Sequence, residues 1–313
     1  MRVLVTGGAG FIGSHVVELA LAAGFEVAVL DNFSTGKPHN VPKGVRIFEV
    51  DLRDRDATFA AVSDFAPELV SHQAAQASVP LSIRDPRSDA DVNLIGGINL
   101  LDACTASGSR TRRVVFASTG GAIYGEVPEG ERASESFAPS PKSPYGIHKL
   151  AFEQLLGIYR EHRGLSTSVL RYANVYGPRQ DPHGEAGVVA VFFDAALAGR
   201  KLTVFARREL GDGGCIRDYV YVGDAARANL LALEGKLPDP VTNVASGSAT
   251  NTQQLAEVVL SLTGSRSHVE QGPVRVGDIE CSLLDTQRFA QTVGSPTSLR
   301  AGLTETARWY GAR

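Results

Sequence analysis

Arg2-Val3-Leu4-Val5-Thr6-Gly7-Gly8-Ala9-Gly10-Phe11-Ile12-Gly13 begins one residue into the chain, and its reading decides the fold. The run Arg2 to Thr6 is apolar and rich in Val, which predicts a buried strand. The glycines that follow predict a tight turn. An apolar pattern from Ser14 to Ala23 predicts a helix, Gly24 stops it, and Glu26 to Leu30 predicts a second strand ending in Asp31. Strand, glycine turn, helix and strand within about thirty residues form a unit suited to a dinucleotide. Gly7 allows the turn, Gly10 lets backbone amides approach a pyrophosphate, and Gly13 lets the helix pack on the sheet. The positive end of the helix faces the phosphates, with Phe11 and Ile12 in its first turn. Asp31 is expected to accept hydrogen bonds from the adenosine ribose and to repel a 2′-phosphate, which favours NAD over NADP.

Working outward, Asn32-Phe33-Ser34-Thr35-Gly36 is turn-rich and follows the acid directly, so Asn32, Ser34, Thr35 and Gly36 are candidates around the ribose. Val45 to Glu49 reads as a third strand, and Asp51-Leu52 then lies near the carboxyl edge of the sheet, where an adenine is contacted. Asp54 to Phe65 is expected as a helix and Leu69 to Ser71 as a short buried strand. That strand runs into His72-Gln73-Ala74-Ala75-Gln76, whose small residues admit a flat group such as the cofactor. Asp91 to Ser107 is expected as one long helix carrying Asn93, an amide that needs a partner if buried. Arg113 to Ala117 is a strand leading into Ser118-Thr119-Gly120-Gly121. Further strands are expected at Ser166 to Leu170 and Val241 to Val244, with an extended segment at Arg217 to Val222. Helices are expected at Val188 to Ala198, Asp224 to Glu234 and Asn251 to Thr263, then from Asp285 and from Thr304. Residues 180–187 and 207–214 read as polar or charged loops. The expected architecture is α/β, a doubly wound parallel sheet with a smaller, mostly C-terminal α/β substrate domain. The first domain is expected over residues 1–173 and 218–244, the second over 174–217 and 245–313.

Composition narrows the class. A length of 313 residues suits one large or two interleaved domains, and 43% hydrophobic with 21% charged residues is ordinary for a soluble globular protein. A net charge of −3 predicts neither a nucleic-acid partner nor membrane affinity. No apolar run approaches the roughly 18 residues that cross a bilayer. The strand pattern starting at Arg2 leaves no room for a signal peptide. Cys104, Cys215 and Cys281 form no Cys-x-x-Cys, and the 7 histidines lack ligand spacing. Reduced thiols, no protein-held metal and a cytoplasmic location are therefore expected.

The chemistry gathers at Ser143-Pro144-Tyr145-Gly146-Ile147-His148-Lys149. Ser143 suits a helix cap and Pro144 its first turn. Tyr145 and Lys149, four apart, then share one helix face. A free tyrosine, with a pKa of about 10, is a poor base at neutral pH, and an adjacent ammonium lowers that value. Open α/β sheets bind ligands at the carboxyl ends of their strands, where Ser118, Thr119, His72 to Gln76 and Tyr172 to Asn174 are all expected. A hydroxyl, a phenol and an ammonium thus collect near the nicotinamide end of an NAD site.

With these motifs the chain resembles the extended short-chain dehydrogenases/reductases, and most closely the UDP-glucose 4-epimerases. The matching residues are the Gly7–Gly13 turn, Asp31-Asn32, Asp51-Leu52, Asn93, Ser118-Thr119, Tyr145 to Lys149, Asn174 to Arg179, Arg217 to Val220, and Arg275 with Asp278. The resemblance spans nearly the whole chain. It implies that Tyr145 exchanges a proton with the sugar 4-hydroxyl and that Lys149 holds the nicotinamide ribose. Thr119, assisted or replaced by Ser118, would bond the same hydroxyl, and the assignment between the two stays open. Tyr172 would flank the nicotinamide. Asn174, Val188, Arg217, Tyr219, Arg275 and Asp278 would hold the UDP, and guanidinium forks suit pyrophosphate oxygens. The position four after Asp278 is Ser282, and a small residue there implies that UDP-N-acetylglucosamine is accepted beside UDP-glucose. Family members are often homodimers. Other nucleotide-sugar epimerases, dehydratases and decarboxylases are the rival readings. Dehydratases place acids after the active-site threonine and decarboxylases carry a Glu near it, whereas Gly120-Gly121 stand here. A non-catalytic NAD-binding regulator is a rival of another class. Such proteins commonly lose the tyrosine or the lysine, and this chain keeps both.

Overall fold

The strand Arg2–Thr6 is buried from Val3 onward and is an interior strand of a 7-stranded sheet. The computed structural model describes residues 1–183, 187–237, 240–275 and 277–311. Part of the loop expected at 180–187 therefore lies outside the described residues. From one edge the strands run Val241–Val244, Ser166–Tyr172, Arg113–Thr119, Leu69–His72, Arg2–Thr6, Glu26–Asp31 and Arg46–Glu49. The pairs on both sides of Arg2–Thr6 are parallel, with Thr6 opposite Leu30 on one side and His72 on the other. Strand order thus reverses direction at Arg2–Thr6. That switch point is where doubly wound sheets bind ligands, beyond the carboxyl ends of the strands.

By packing, the chain divides into two compact units. The first comprises Met1–Ile123, Pro141–Arg171 and Ala226–Thr242, the second Tyr124–Ser140, Tyr172–Ala225 and Asn243–Arg313. Residues 124–140, 172–173, 218–225 and 243–244, expected with the first unit, group with the second. The reason lies in their pairing. Ile216–Tyr221 bonds to Asn174–Tyr176, Ala249–Asn251 and Cys281–Ser282, all in the second unit. Val127 N donates to Cys281 O at 3.1 Å and Ala133 N to Leu283 O at 2.9 Å, which ties the 124–140 segment to the same sheet. The first core includes Leu4, Val70, Leu100, Val114, Phe116 and Phe152, and the second Phe192, Phe193, Leu202, Leu255, Val259 and Leu303.

Several elements depart from the expected pattern. Val79–Arg84 and Pro86–Ala90 are short helices capped by Ser78 and Asp85. The helix expected to start at Asp91 continues from them through a π-helical turn, Asp91–Ile95, before Gly96–Thr105. Five short strands among the described residues, Asn174–Tyr176, Leu202–Phe205, Ala249–Asn251, Val269–Gly272 and Cys281–Ser282, lie outside the expected pattern. The last two helices run from Gln287 and from Leu299 rather than from Asp285 and Thr304.

Candidate functional site

The glycine turn is shaped by its neighbours. Gly7 has φ +65°, and a Cβ there would lie 2.6 Å from Ala74 N, so the turn packs directly on the chain leaving Leu69–His72. A Cβ at Gly13 would lie 2.1 Å from Gly7 O, which shows how closely the helix Phe11–Ala22 approaches the turn. Asp31, 6% exposed, accepts from Ala9 N at 2.9 Å and Phe33 N at 2.8 Å. Burial raises its pKa, and those two amides oppose the rise. Ala9 O in turn accepts from Lys37 N at 2.9 Å and Asn40 Nδ2 at 3.0 Å, folding the 32–40 loop over the glycines. Within that loop Ser34 and Thr35 are exposed, and Gly36 lies against the Asp31 carboxylate. Asn32 Nδ2 donates to Asp51 Oδ2 at 2.8 Å. The Arg53 guanidinium, 2.7 Å from the same carboxylate, holds Asp51 well below the usual carboxylate range. Leu52 is buried, and its carbonyl accepts from Asn99.

Whether this turn suits a dinucleotide is decided by Gly10. It caps the helix with no side-chain hydrogen bond, and a Cβ on it would meet only Gly7 O, at 3.1 Å. The space beyond it and the first amides of the helix are therefore left for an anion, as a dinucleotide pyrophosphate requires. The residues present fit NAD.

Beyond Leu69–His72, Gln73 Nε2 donates to Asn229 Oδ1 at 2.8 Å, and Ala74 N to Thr6 Oγ1 at 3.3 Å. Ala75 is half-buried. Gln76 and Asn93, expected at the cofactor, bond chiefly to each other and to Asp89. Asn93 Nδ2 donates to Gln76 O and to Asp89 Oδ2, both at 2.8 Å, and Asn93 Oδ1 accepts from Gln76 N at 3.2 Å. Both donors of the Asn93 amide are thus spent on shaping the loop, which the widened π turn brings within reach.

Asp89, 1% exposed, also takes His148 Nδ1 at 2.9 Å, tying this loop to the helix Pro144–Arg163. Neither Asp89 nor His148 was singled out from sequence. Their only signal was an acid and an imidazole at positions whose burial a linear pattern does not reveal.

The helix Pro144–Arg163 starts as expected, with Ser143 Oγ accepting from Gly146 N at 3.2 Å and Pro144 in the first turn. Tyr145 is half-buried. Lys149 is 3% exposed, and its Nζ donates to Ala117 O at 3.0 Å. Nζ lies 4.7 Å from the Phe116 ring centre and 5.9 Å from that of Tyr145. One turn further along, Glu153 forms a buried pair with Arg171, 2.6 Å apart, and accepts the Ser118 hydroxyl. Ser118 is therefore 3% exposed and committed to that carboxylate. Thr119 is half-buried at the end of its strand, and its Oγ1 accepts from Ala122 N at 3.2 Å, so its hydroxyl still has a proton to donate. The two hydroxyls that the sequence leaves open thus have different surroundings.

In the second unit Tyr172 is buried at the end of its strand, and Asn174 Nδ2 donates to Asp218 O at 3.1 Å. Asp218, fully buried, accepts from Ser246 N, Ser246 Oγ and Gly247 N, each at 2.8 Å, and so anchors the turn after Val241–Val244. Arg217 and Ser282 are register partners on adjacent strands, and Ser282 is 3% exposed. Tyr219 lies in the second core, where burial pushes its phenol up. Val188 packs against that core at the start of its helix. Arg275 pairs with Asp278 at 2.8 Å, and its guanidinium carbon lies 4.4 Å over the Phe205 ring.

Residues 3–245 match the model of the NAD dependent epimerase/dehydratase family. The chain belongs to that family. Among solved structures it resembles a UDP-glucose 4-epimerase of Thermus thermophilus in complex with NAD, 52% identical, with a TM-score of 0.94 over 99% of each chain. It resembles the UDP-glucose 4-epimerase of Thermotoga maritima with UDP-glucose, 43% identical, with a TM-score of 0.93 over 100% of this chain and 99% of that one. A UDP-N-acetylglucosamine 4-epimerase of Methanobrevibacter ruminantium, in complex with UDP-N-acetylmuramic acid, is 34% identical, with a TM-score of 0.89 over 99% of this chain and 98% of that one.

Proposed function

We propose that this protein reversibly interconverts UDP-hexoses that differ at C4, with UDP-glucose and UDP-galactose as the central pair. The observation that carries this reading is the Tyr145–Lys149 pair on a capped helix, with the Ala117 carbonyl on Lys149 and the Thr119 hydroxyl two residues beyond that carbonyl. Tyr145 Oη takes the proton of the sugar 4-hydroxyl and later returns it. NAD, when bound, supplies a reversible hydride acceptor for C4. Lys149, held by Ala117 O, keeps a positive charge beside the phenol and favours its ionised form. Thr119 bonds the reacting oxygen, and Ser118 instead orients Glu153 and Arg171 behind the helix. The Gly7–Gly13 turn and Phe11–Ile12 amides hold the pyrophosphate, and Asp31 the adenosine ribose. Asn32, Ser34, Thr35, Gly36, Asp51 and Leu52 line the adenosine end, while Gln73 to Gln76, Asn93 and Tyr172 shape the rest of the cofactor's binding surface. Asn174, Val188, Arg217, Tyr219, Arg275 and Asp278 hold UDP. The 4-keto sugar must turn over before proton and hydride return, so a firm hold on the nucleotide and a loose one on the hexose are required.

Gly120-Gly121 bring no acid beside Thr119, which supports inversion over elimination. Small, buried Ser282 supports acceptance of the N-acetylated sugars, the reaction named for the Methanobrevibacter relative. Three buried, unpaired thiols support a cytoplasmic setting. An apolar stripe on Pro144–Arg163, with Ile147 51% and Ile158 52% exposed, supports a homodimer.

The test is incubation of the purified protein with UDP-galactose and with UDP-N-acetylgalactosamine, without added NAD, followed by chromatography of the sugars. UDP-glucose and UDP-N-acetylglucosamine are the expected products. Tyr145→Phe should retain bound NAD and lose turnover by at least about 100-fold. Unchanged turnover in that variant would remove Tyr145 from the mechanism.

A further inference from the structure

Arg207 stands in the charged loop that follows the strand Leu202–Phe205. Its side chain is 14% exposed, and among the described residues its one ion pair is to Glu129 at 3.4 Å, a carboxylate 58% exposed. Among the described residues Arg207 Nε is a buried donor without a hydrogen-bond partner. A guanidinium withdrawn from water with an idle donor and one long contact is costly to keep unless an anion completes it.

Its position says which anion. Ala206 N donates to Gly272 O at 3.0 Å, so pairing of the strand Leu202–Phe205 continues up to Ala206, and Arg207 follows in the bend that leaves the strand. Arg207 therefore lies two residues beyond Phe205, just past the end of that strand. The Phe205 ring carries the Arg275 guanidinium 4.4 Å above it. On the adjoining sheet, Arg217 is the register partner of Ser282, next to Cys281. Burial and Glu129 push the Cys281 thiol up, while Arg217 and Arg207 both oppose the rise, so both guanidinium groups lie within electrostatic reach of one sulfur. The loop after Arg207 is fixed in place. Asp212 accepts from the Arg207 N at 3.0 Å and also from the amides of Arg208, Glu209 and Gly214, so its own carboxylate is already engaged.

We infer that Arg207 is a third guanidinium for the diphosphate of the nucleotide sugar, beside Arg217 and Arg275, with Glu129 as a place-holder that the diphosphate displaces. This rests on the UDP-sugar reading above. A bidentate approach through Nε and a terminal nitrogen would satisfy the idle donor.

Calorimetric titration of the NAD-loaded protein with UDP, and competition with uridine, test it. Arg207→Met should weaken UDP by about 10- to 100-fold and leave uridine unchanged, the effect of a lost charged hydrogen bond. Arg207→Lys should recover part of the loss. Glu129→Gln should bind UDP as tightly as the parent chain or more tightly. UDP affinity within twofold of the parent in Arg207→Met would overturn the inference. So would equal losses for UDP and uridine, or a Glu129→Gln loss as large as that of Arg207→Met, since either would mark a structural pair. Failure of the parent chain to bind UDP at all would instead strike the function proposed for the protein, and this inference with it.

Discussion

His72 shows how single residues set the electrostatics around Lys149. It is 2% exposed, accepts or donates at Thr6 Oγ1 through Nδ1 at 2.8 Å, and packs against the rings of Phe116 and Phe152. Burial, and secondarily the charge on Lys149, lower its pKa to about 3. A neutral imidazole there leaves Lys149 as the local positive charge. The sign of the stability effect follows. Below about pH 6.5 the unfolded chain protonates this histidine, while the folded chain does so only near pH 3. The contribution is complete above that upper value and declines as pH falls, by up to about 1.4 kcal/mol per pH unit. His72→Phe should cost about 1 kcal/mol at neutral pH through the lost bond to Thr6. It should also flatten the decline of stability between about pH 6.5 and pH 4. Urea unfolding of both proteins across that range measures this, and parallel curves would show that another group dominates.

The helix Pro144–Arg163 shows, at the scale of an element, what a linear pattern can and cannot deliver. Ser143, Pro144, Tyr145 and Lys149 were legible because capping and the shared helix face are local rules. The tie from His148 to Asp89 was not, because the partners are 59 residues apart and meet only once the sheet has formed. The Ser118–Glu153–Arg171 cluster was hidden in the same way, although Glu153 continues the four-residue spacing of Tyr145 and Lys149. The Asp89 carboxylate holds the helix through one oxygen and Gln76 and Asn93 through the other. It therefore couples the turn carrying Tyr145 to the loop after Leu69–His72. A double-mutant cycle on Asp89→Ala and His148→Ala should give a coupling of about 1–3 kcal/mol in unfolding experiments. Both single variants should lower kcat more than they raise KM for UDP-galactose, since a displaced Tyr145 affects chemistry before binding. Additive stabilities would show that the two residues act independently.

At the scale of the whole molecule, the first unit was the more legible because it is built from long, locally coded repeats of strand and helix. The second depends on pieces such as Cys281–Ser282 and Ala249–Asn251, whose strand character exists only through pairing with Ile216–Tyr221. Two or three residues carry too little periodicity to announce that, and the domain boundary at 218–225 shifted for the same reason. Surface pattern carries information that the cores do not. On Pro144–Arg163, Ile147 and Ile158 are eleven apart and so project on nearly the same side of the helix, with half-buried Ala151 and Leu155 between them. Ile95, 47% exposed, adds to the apolar surface of the same unit. A twofold-related copy can cover such a stripe with its own, since one patch then serves as both halves of the interface. Replacing Ile147 and Ile158 together by Asp would set like charges against each other across that axis. Analytical ultracentrifugation tests the proposed homodimer: the parent should have the mass of two chains and the double variant that of one, with bound NAD retained because no proposed cofactor residue is altered. A parent with the mass of one chain would overturn the proposed homodimer, and a double variant that keeps the mass of two would place its contact on another face.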